Sequence, residues 1–164
     1  MTDTRRTIAL IPAAGRSGRF TEVGHIGPKG ALVVRDRDGC ETTMILHVMM
    51  AIPLEWPVVI GTTTDQVEIF RRLVGGVPGM PVTILDLGMR TGGQADTIHK
   101  VLELESTRND RIVVINCDNV FRRTDLLLIQ DFLAISDMSL LVHKSTDPMC
   151  SYVVQIPLPT RFVE

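Results

Sequence analysis

Three near-continuous apolar runs of strand length, at residues 7–12, 57–61 and 111–117, constrain this chain more than any other feature. A strand with one wet face alternates apolar and polar side chains. A run without that alternation needs cover on both faces, as in a parallel sheet. Further strand candidates lie at 82–85, 139–143 and 152–156. Between them apolar residues recur at helical spacing. Val67, Phe70 and Leu73 follow Thr64, which can cap a helix, with Asp65 in its first turn. Ile98, Val101 and Leu102 share one face of a segment over 93–105. A third helix over 43–52 is stopped by Pro53, and Thr124-Asp125 opens a fourth that runs over 126–135.

This rhythm of strand and helix predicts an α/β fold, a three-layer α/β/α sandwich with a Rossmann-like, mostly parallel sheet. Ligands of such folds sit beyond the carboxyl ends of the strands. No internal repeat, low-complexity segment or linker interrupts residues 1–164, so a single domain is expected. At 45% hydrophobic and 22% charged, the chain has enough apolar material for a core and argues against disorder. A formal net charge of -2 implies no basic face for general nucleic-acid binding, although a few local donors suffice for a phosphate. Cys40, Cys117 and Cys150 are odd in number and far apart, with no CxxC pair, and read as reduced, mostly buried thiols. The apolar run before Pro12 is too short for a signal sequence or a membrane span. No membrane association and a cytoplasmic location are therefore expected.

The first strand candidate gives way to a glycine-rich stretch. Gly15, Gly18, Gly24, Gly27 and Gly30, five of the thirteen glycines, fall within sixteen residues. Glycine lets backbone amides approach and converge on an anion. Arg19 adds a forked cation suited to phosphate, and Lys29, between Pro28 and Gly30, adds a point charge. The stretch is not a Walker A loop, which needs GxxxxGK[ST], nor a GxGxxG dinucleotide fingerprint, because Gly15 and Gly18 are separated by two residues and Arg19 follows. A plain surface loop is the alternative for glycines alone.

Two later segments bear on the same reading. Thr91-Gly92-Gly93-Gln94-Ala95-Asp96-Thr97-Ile98 leads into the helical segment of mid-chain. Read blandly, it is a turn and helix start, with Asp96 favouring the helix dipole. Asp118 closes the 111–117 strand run. A carboxylate there is well placed for a hard cation, since Mg²⁺ favours one or two carboxylates plus phosphate oxygens. Capping of the next turn by Asp118 is the structural alternative.

Taken together, Ala13-Ala14-Gly15-Arg16-Ser17-Gly18-Arg19-Phe20, followed by Pro28-Lys29, resembles the AAGxGxRF…PK signature of the sugar-phosphate nucleotidylyltransferases. One departure is Ser17, which stands at the usual second glycine with Gly18 after it. The resemblance implies that Ala13, Ala14 and Gly15, with Arg16, Ser17 and Gly18 of the same loop, line a nucleotide. It implies that Arg19 and Lys29 hold its phosphates. The family's G-x-A turn is similar to Gly92-Gly93-Gln94-Ala95, which implies base and ribose contacts there. An amide such as Gln94 can read a base edge through its paired donor and acceptor. Asn116-Cys117-Asp118-Asn119-Val120-Phe121 resembles the family's GDNxF element, implying Mg²⁺ on Asp118 with Asn119 behind it. The form of this element, and the Phe20 to Pro28 spacing, are nearest to members associated with capsule or surface polysaccharide.

The implied reaction is in-line attack of a sugar 1-phosphate oxygen on the α-phosphorus of an NTP, expelling pyrophosphate. Catalysis would come from positioning and charge neutralisation by Arg19, Lys29 and Asp118-bound Mg²⁺. The implied partners are the NTP and the sugar 1-phosphate, and the sequence is compatible with a homo-oligomer. Cytidylyltransferases of the isoprenoid or alditol type share AAGxGxR and PK, and stand as an alternative. Ser151-Tyr152-Val153-Val154 matches the strand before the family's Glu-Lys-Pro element, yet the sequence closes on Arg161-Phe162-Val163-Glu164. The expectation is a fragment or a shortened homologue lacking the sugar-binding part, and the matching alternative is an NTP-binding module without turnover. His25, His47, His99 and His143 show no ligand spacing, Met44, Met49 and Met50 read as core packing, and Trp56 and Tyr152 have no evident stacking partners.

Overall fold

A computed structural model describes residues 5–15, 18–35, 39–104, 110–118, 123–124 and 126–127, with the backbone alone described at Arg19. Four strands make one parallel sheet: β1 (Thr7–Pro12), β4 (Val58–Thr62), β5 (Val82–Asp86) and β6 (Arg111–Val114), in the order β5-β4-β1-β6. The register runs through Leu10↔Val59 and Ile60↔Ile84 on one side of β1 and Ala9↔Val113 on the other. A separate two-stranded antiparallel ribbon joins β2 (Val33–Arg35) to β3 (Glu41–Thr43).

The runs without alternation are explained by their two covered faces. Ala9, Ile11, Val58 and Ile60 pack under helices α2 (Met44–Ala51) and α3 (Thr64–Val74), against Ile45, Val48, Met49, Phe70 and Val74. Ile8, Leu10 and Val59 point the other way, onto Val101 and Ile98 of α4 (Gln94–Leu104). Burial of each such side chain contributes roughly 1.5–3 kcal/mol, so both helix layers are held by the same strands. The expected three-layer α/β/α arrangement is what these residues build. Gly61 makes the closeness of the α4 layer possible, because a Cβ there would collide with Val101 Cγ2. Among the described residues, no helix is long and apolar enough to cross a membrane.

Several local expectations need correction. The N-cap of α3 is Thr63, not Thr64. Thr64 is the first helical residue, and its hydroxyl donates instead towards Asp86 Oδ1 (2.8 Å) and the Gly88 carbonyl (3.1 Å). Strand β6 ends at Val114, short of the 111–117 run. Met50 is 68% exposed although Met49 is buried, so the methionine stripe is core on one side only. Cys40 is exposed, whereas Cys117 is buried. Residues 123–124 and 126–127 are helical, with Leu126 in the core. The remainder of the fourth expected helix, the strands at 139–143 and 152–156, Cys150 and Tyr152 lie outside the described residues.

Topology marks one place on the sheet. The chain steps outward from β1 to β4 to β5, then returns to lay β6 on the opposite side of β1. Strand order reverses between β1 and β6, and a crevice opens beyond their carboxyl ends in folds of this kind. The 13–20 loop follows β1, and Asp118 follows β6.

Candidate functional site

Lys29 and Asp118 meet at this edge. Lys29 Nζ donates a charge-assisted hydrogen bond to Asp118 Oδ2, across 89 positions of sequence. Their side chains are 19% and 33% exposed, so the pair sits near the surface beyond the strand ends and not in the core. The Lys29 ammonium also lies 5.1 Å from the centroid of the Phe20 ring, a cation–π distance. Lys29 opens a single 3-10 turn (Lys29–Ala31). Buried Gly30 docks that turn onto α2 and α3, where a Cβ would stand 2.9 Å from Phe70 Cε1 and 3.3 Å from Ile45 Cβ. Glycine is therefore the residue that lets Lys29 reach the sheet edge.

The loop after β1 is fastened on two sides. Ala13 N–H donates to the Gly61 carbonyl (2.8 Å), and the Ala13 carbonyl lies 3.5 Å from the Thr62 hydroxyl. The Ala14 carbonyl accepts from Thr91 N–H (3.3 Å) and lies 3.4 Å from the Thr91 hydroxyl. Ala14 is fully buried. Gly15 beside it is exposed, with nothing within 4 Å of where a Cβ would stand. Gly18 opens the short helix α1 (Gly18–Glu22), which carries the Arg19 backbone. Arg16, Ser17 and the Arg19 side chain lie outside the described residues.

The segment entering α4 completes the rim. Gln94 Nε2 donates to Asn116 Oδ1 at 2.6 Å, joining the helix start to the end of β6. Gly92 N–H donates to Asp96 Oδ2 at 2.7 Å. That bond, ahead of the Lys100 ammonium, holds the Asp96 carboxyl below its usual range. Gly93 sits in the turn between them, and its carbonyl accepts from Thr97 N–H at 3.0 Å. Cys117 lies between Asn116 and Asp118. Burial, and then the neighbouring Asp118 carboxylate, push its thiol up to about 11 against a partial opposing effect of Lys29. A thiol so shifted stays protonated at neutral pH and is no nucleophile.

Of the residues expected from sequence, Ala13, Ala14, Gly15, Lys29, Gly92, Gly93, Gln94 and Asp118 are thus drawn to one edge, from four segments. His25 stands apart in role, its Nε2 lying 3.3 Å from the Pro28 carbonyl. Trp56 is core. Five further participants were not expected at the site: Phe20 under Lys29, Asn116 and the buried pair Thr91 and Thr97 lie within the motifs without an assigned role, and Thr62 lies outside them. Thr91 had one sequence signal, a hydroxyl residue directly before Gly92-Gly93.

For a cation, the described residues offer no cluster of three or more His, Cys, Asp or Glu side chains. Asp118 is the carboxylate at the edge, and Lys29 already bonds it. This donor set fits an ion completed by ligand phosphates and does not fit an all-protein cage.

No known family pattern matches the chain, and no curated protein matches it in sequence. Among solved structures, it is similar to the nucleoside-diphosphate-sugar pyrophosphorylase from Vibrio cholerae RC9, at 22% identity and a TM-score of 0.53. The match covers 71% of this chain and 49% of that one, so the chain spans about half the length of its structural neighbour. The likeness is one of fold: the α/β sheet with helices on both faces.

Proposed function

We propose that this chain forms the nucleotide-binding part of a nucleotidylyltransferase, one that transfers a nucleoside monophosphate from an NTP to a sugar 1-phosphate and releases pyrophosphate. The observation that carries the reading is the meeting of Lys29, Asp118, residues 13–15 after β1 and the 91–94 segment at the edge where strand order reverses. Similarity in fold to a nucleoside-diphosphate-sugar pyrophosphorylase supports it. The sugar acceptor and a place in capsule or surface-polysaccharide synthesis rest on the sequence motifs, as does a cytoplasmic setting.

Each residue then has a stated task. Gly15 leaves open space for a close approach of phosphate, with Ala13 and Ala14 behind it. Lys29, once it leaves Asp118, supplies a compact positive charge to the phosphates, and Arg19 supplies a forked one to the departing pyrophosphate. Gln94, steadied by Asn116, presents its amide to the base edge. Asp118 is the carboxylate that would hold Mg²⁺. That ion offsets phosphate charge when bound.

Pyrophosphate release, assayed with the four NTPs against a panel of sugar 1-phosphates, tests the reading. Arg19→Ala and Asp118→Ala should each lower turnover by ~100-fold, the scale of losing one transition-state charge contact. Near-normal turnover in either variant overturns the role given to that residue. NTP binding without pyrophosphate release from the unaltered chain favours the second reading, an NTP-binding module. Absence of both signals overturns both.

A further inference from the structure

Thr91 and Thr97 form a hydroxyl pair that no catalytic motif claims. Their oxygens lie 2.6 Å apart, and the residues are 4% and 1% exposed. Two carbonyls converge on the pair. Thr91 Oγ1 lies 3.4 Å from the Ala14 carbonyl and 3.2 Å from the Gly93 carbonyl, and Thr97 Oγ1 lies 3.0 Å from the Gly93 carbonyl. With Thr97 donating across the 2.6 Å contact, the Thr91 hydroxyl proton is left to reach the Ala14 carbonyl of the loop after β1 and the Gly93 carbonyl of the turn before α4. Both carbonyls also accept a backbone N–H, from Thr91 and from Thr97, so the Thr91 hydroxyl adds a second, side-chain tie to each.

The peptide groups carry the consequence. A trans peptide is planar and holds its C=O antiparallel to the N–H of the next residue, and the described chain contains no cis bond. A carbonyl of Ala14 drawn inward to Thr91 therefore turns the Gly15 N–H outward. By the same geometry, the Gly93 carbonyl drawn to Thr91 and Thr97 turns the Gln94 N–H outward. Gly15 and Gln94 are both exposed. Gln94 is also the first residue of α4, whose leading amides lack intrahelical acceptors.

We infer that Thr91 is a positioning residue: it locks the Ala14 and Gly93 peptides so that the Gly15 and Gln94 amides face a phosphate-bearing ligand. The inference rests on the nucleotide-binding reading and adds to it a device that orients backbone donors from the buried side. Thr91 touches no ligand itself. It also ties the two halves of the rim together, so that the loop after β1 and the start of α4 move as one unit.

The test is calorimetry with NTP and Mg²⁺ on the full chain, beside amide hydrogen exchange. Thr91→Val keeps size and the backbone N–H bond to Ala14 but removes the hydroxyl, and should weaken NTP binding by roughly tenfold, the scale of one or two misaligned donors. Thr91→Ser restores the hydroxyl and should bind within about twofold of the unaltered chain. In the unaltered chain, the Gly15 and Gln94 amides should exchange readily when free and become protected with NTP. At saturating NTP, Thr91→Val should lose that protection while Thr91→Ser retains it. Unchanged affinity in Thr91→Val overturns the inference alone, as does Gly15 or Gln94 protection already present without ligand, a readout that needs no variant to fold. An unaltered chain that binds no NTP overturns the nucleotide-binding reading and the inference with it.

Discussion

Replacing Asp118 with asparagine keeps the size of the side chain but removes the carboxylate that engages Lys29. In the free protein that ion pair must break before Lys29 can serve a phosphate, so it competes with any anionic ligand. Its strength follows from its setting. With the two side chains 19% and 33% exposed, the pair is neither buried nor fully screened, and a charge-assisted bond there contributes ~1 kcal/mol. Removing the competitor should therefore raise affinity for a metal-free polyphosphate by about fivefold, since 1.4 kcal/mol corresponds to about tenfold. The same change removes the carboxylate proposed to hold Mg²⁺, so the gain in affinity that Mg²⁺ confers on the unaltered chain should vanish. Calorimetry with inorganic triphosphate, once in chelator and once in Mg²⁺, reads both effects. Equal or weaker binding by Asp118→Asn in chelator would refute the argument, because Lys29 would then be either unrestrained by Asp118 or irrelevant to phosphate.

Other perturbations probe the scaffold beneath the site. Gly30→Ala places a methyl group against Phe70 and Ile45, and should cost about 1–3 kcal/mol in denaturant unfolding while displacing Lys29; an unchanged midpoint would show that the 3-10 turn is not wedged as described. Gly61→Ala forces the α4 layer off the sheet through Val101 and should destabilise by a similar ~1–3 kcal/mol, readable as a lowered Tm. Cys117 makes stability depend on alkaline pH. Its folded-state thiol is raised from 9.0 to about 11, so the unfolded chain loses this proton first. The resulting stability is present below about pH 9 and lost as pH rises towards about 11, on the order of 2 kcal/mol in all. Cys117→Ala should flatten that part of the pH profile, and a slope unchanged by the substitution would assign it to other groups.

Strand β1 matches its expected bounds because both of its faces are covered, which leaves an unbroken apolar run in the sequence. The ribbon of β2 and β3 escaped notice for the opposite reason. Its three-residue strands, Val-Val-Arg and Glu-Thr-Thr, contain no buried residue and are too short to show a period. At the site, the glycines and the cations were legible as residue types, since phosphate recognition favours them. Their pairings were not. Lys29 and Asp118 are brought together by the reversal of strand order, and Gln94 meets Asn116 across 22 positions for the same reason. Thr91 left only a faint signal, a hydroxyl residue before Gly92-Gly93, because its contacts are made from the buried side, on carbonyls that any sequence would contain.

Backbone amide shifts recorded while the ¹⁵N-labelled chain is titrated with an NTP and Mg²⁺ test the central claim most directly. The account predicts that the largest changes cluster at residues 13–15, 29, 91–94 and 116–118, at the carboxyl edges of β1 and β6. No saturable change would contradict it. So would changes centred on the shallow groove of Asp86, Leu87, Lys100, Glu103 and Leu104 at the β5 side of the sheet.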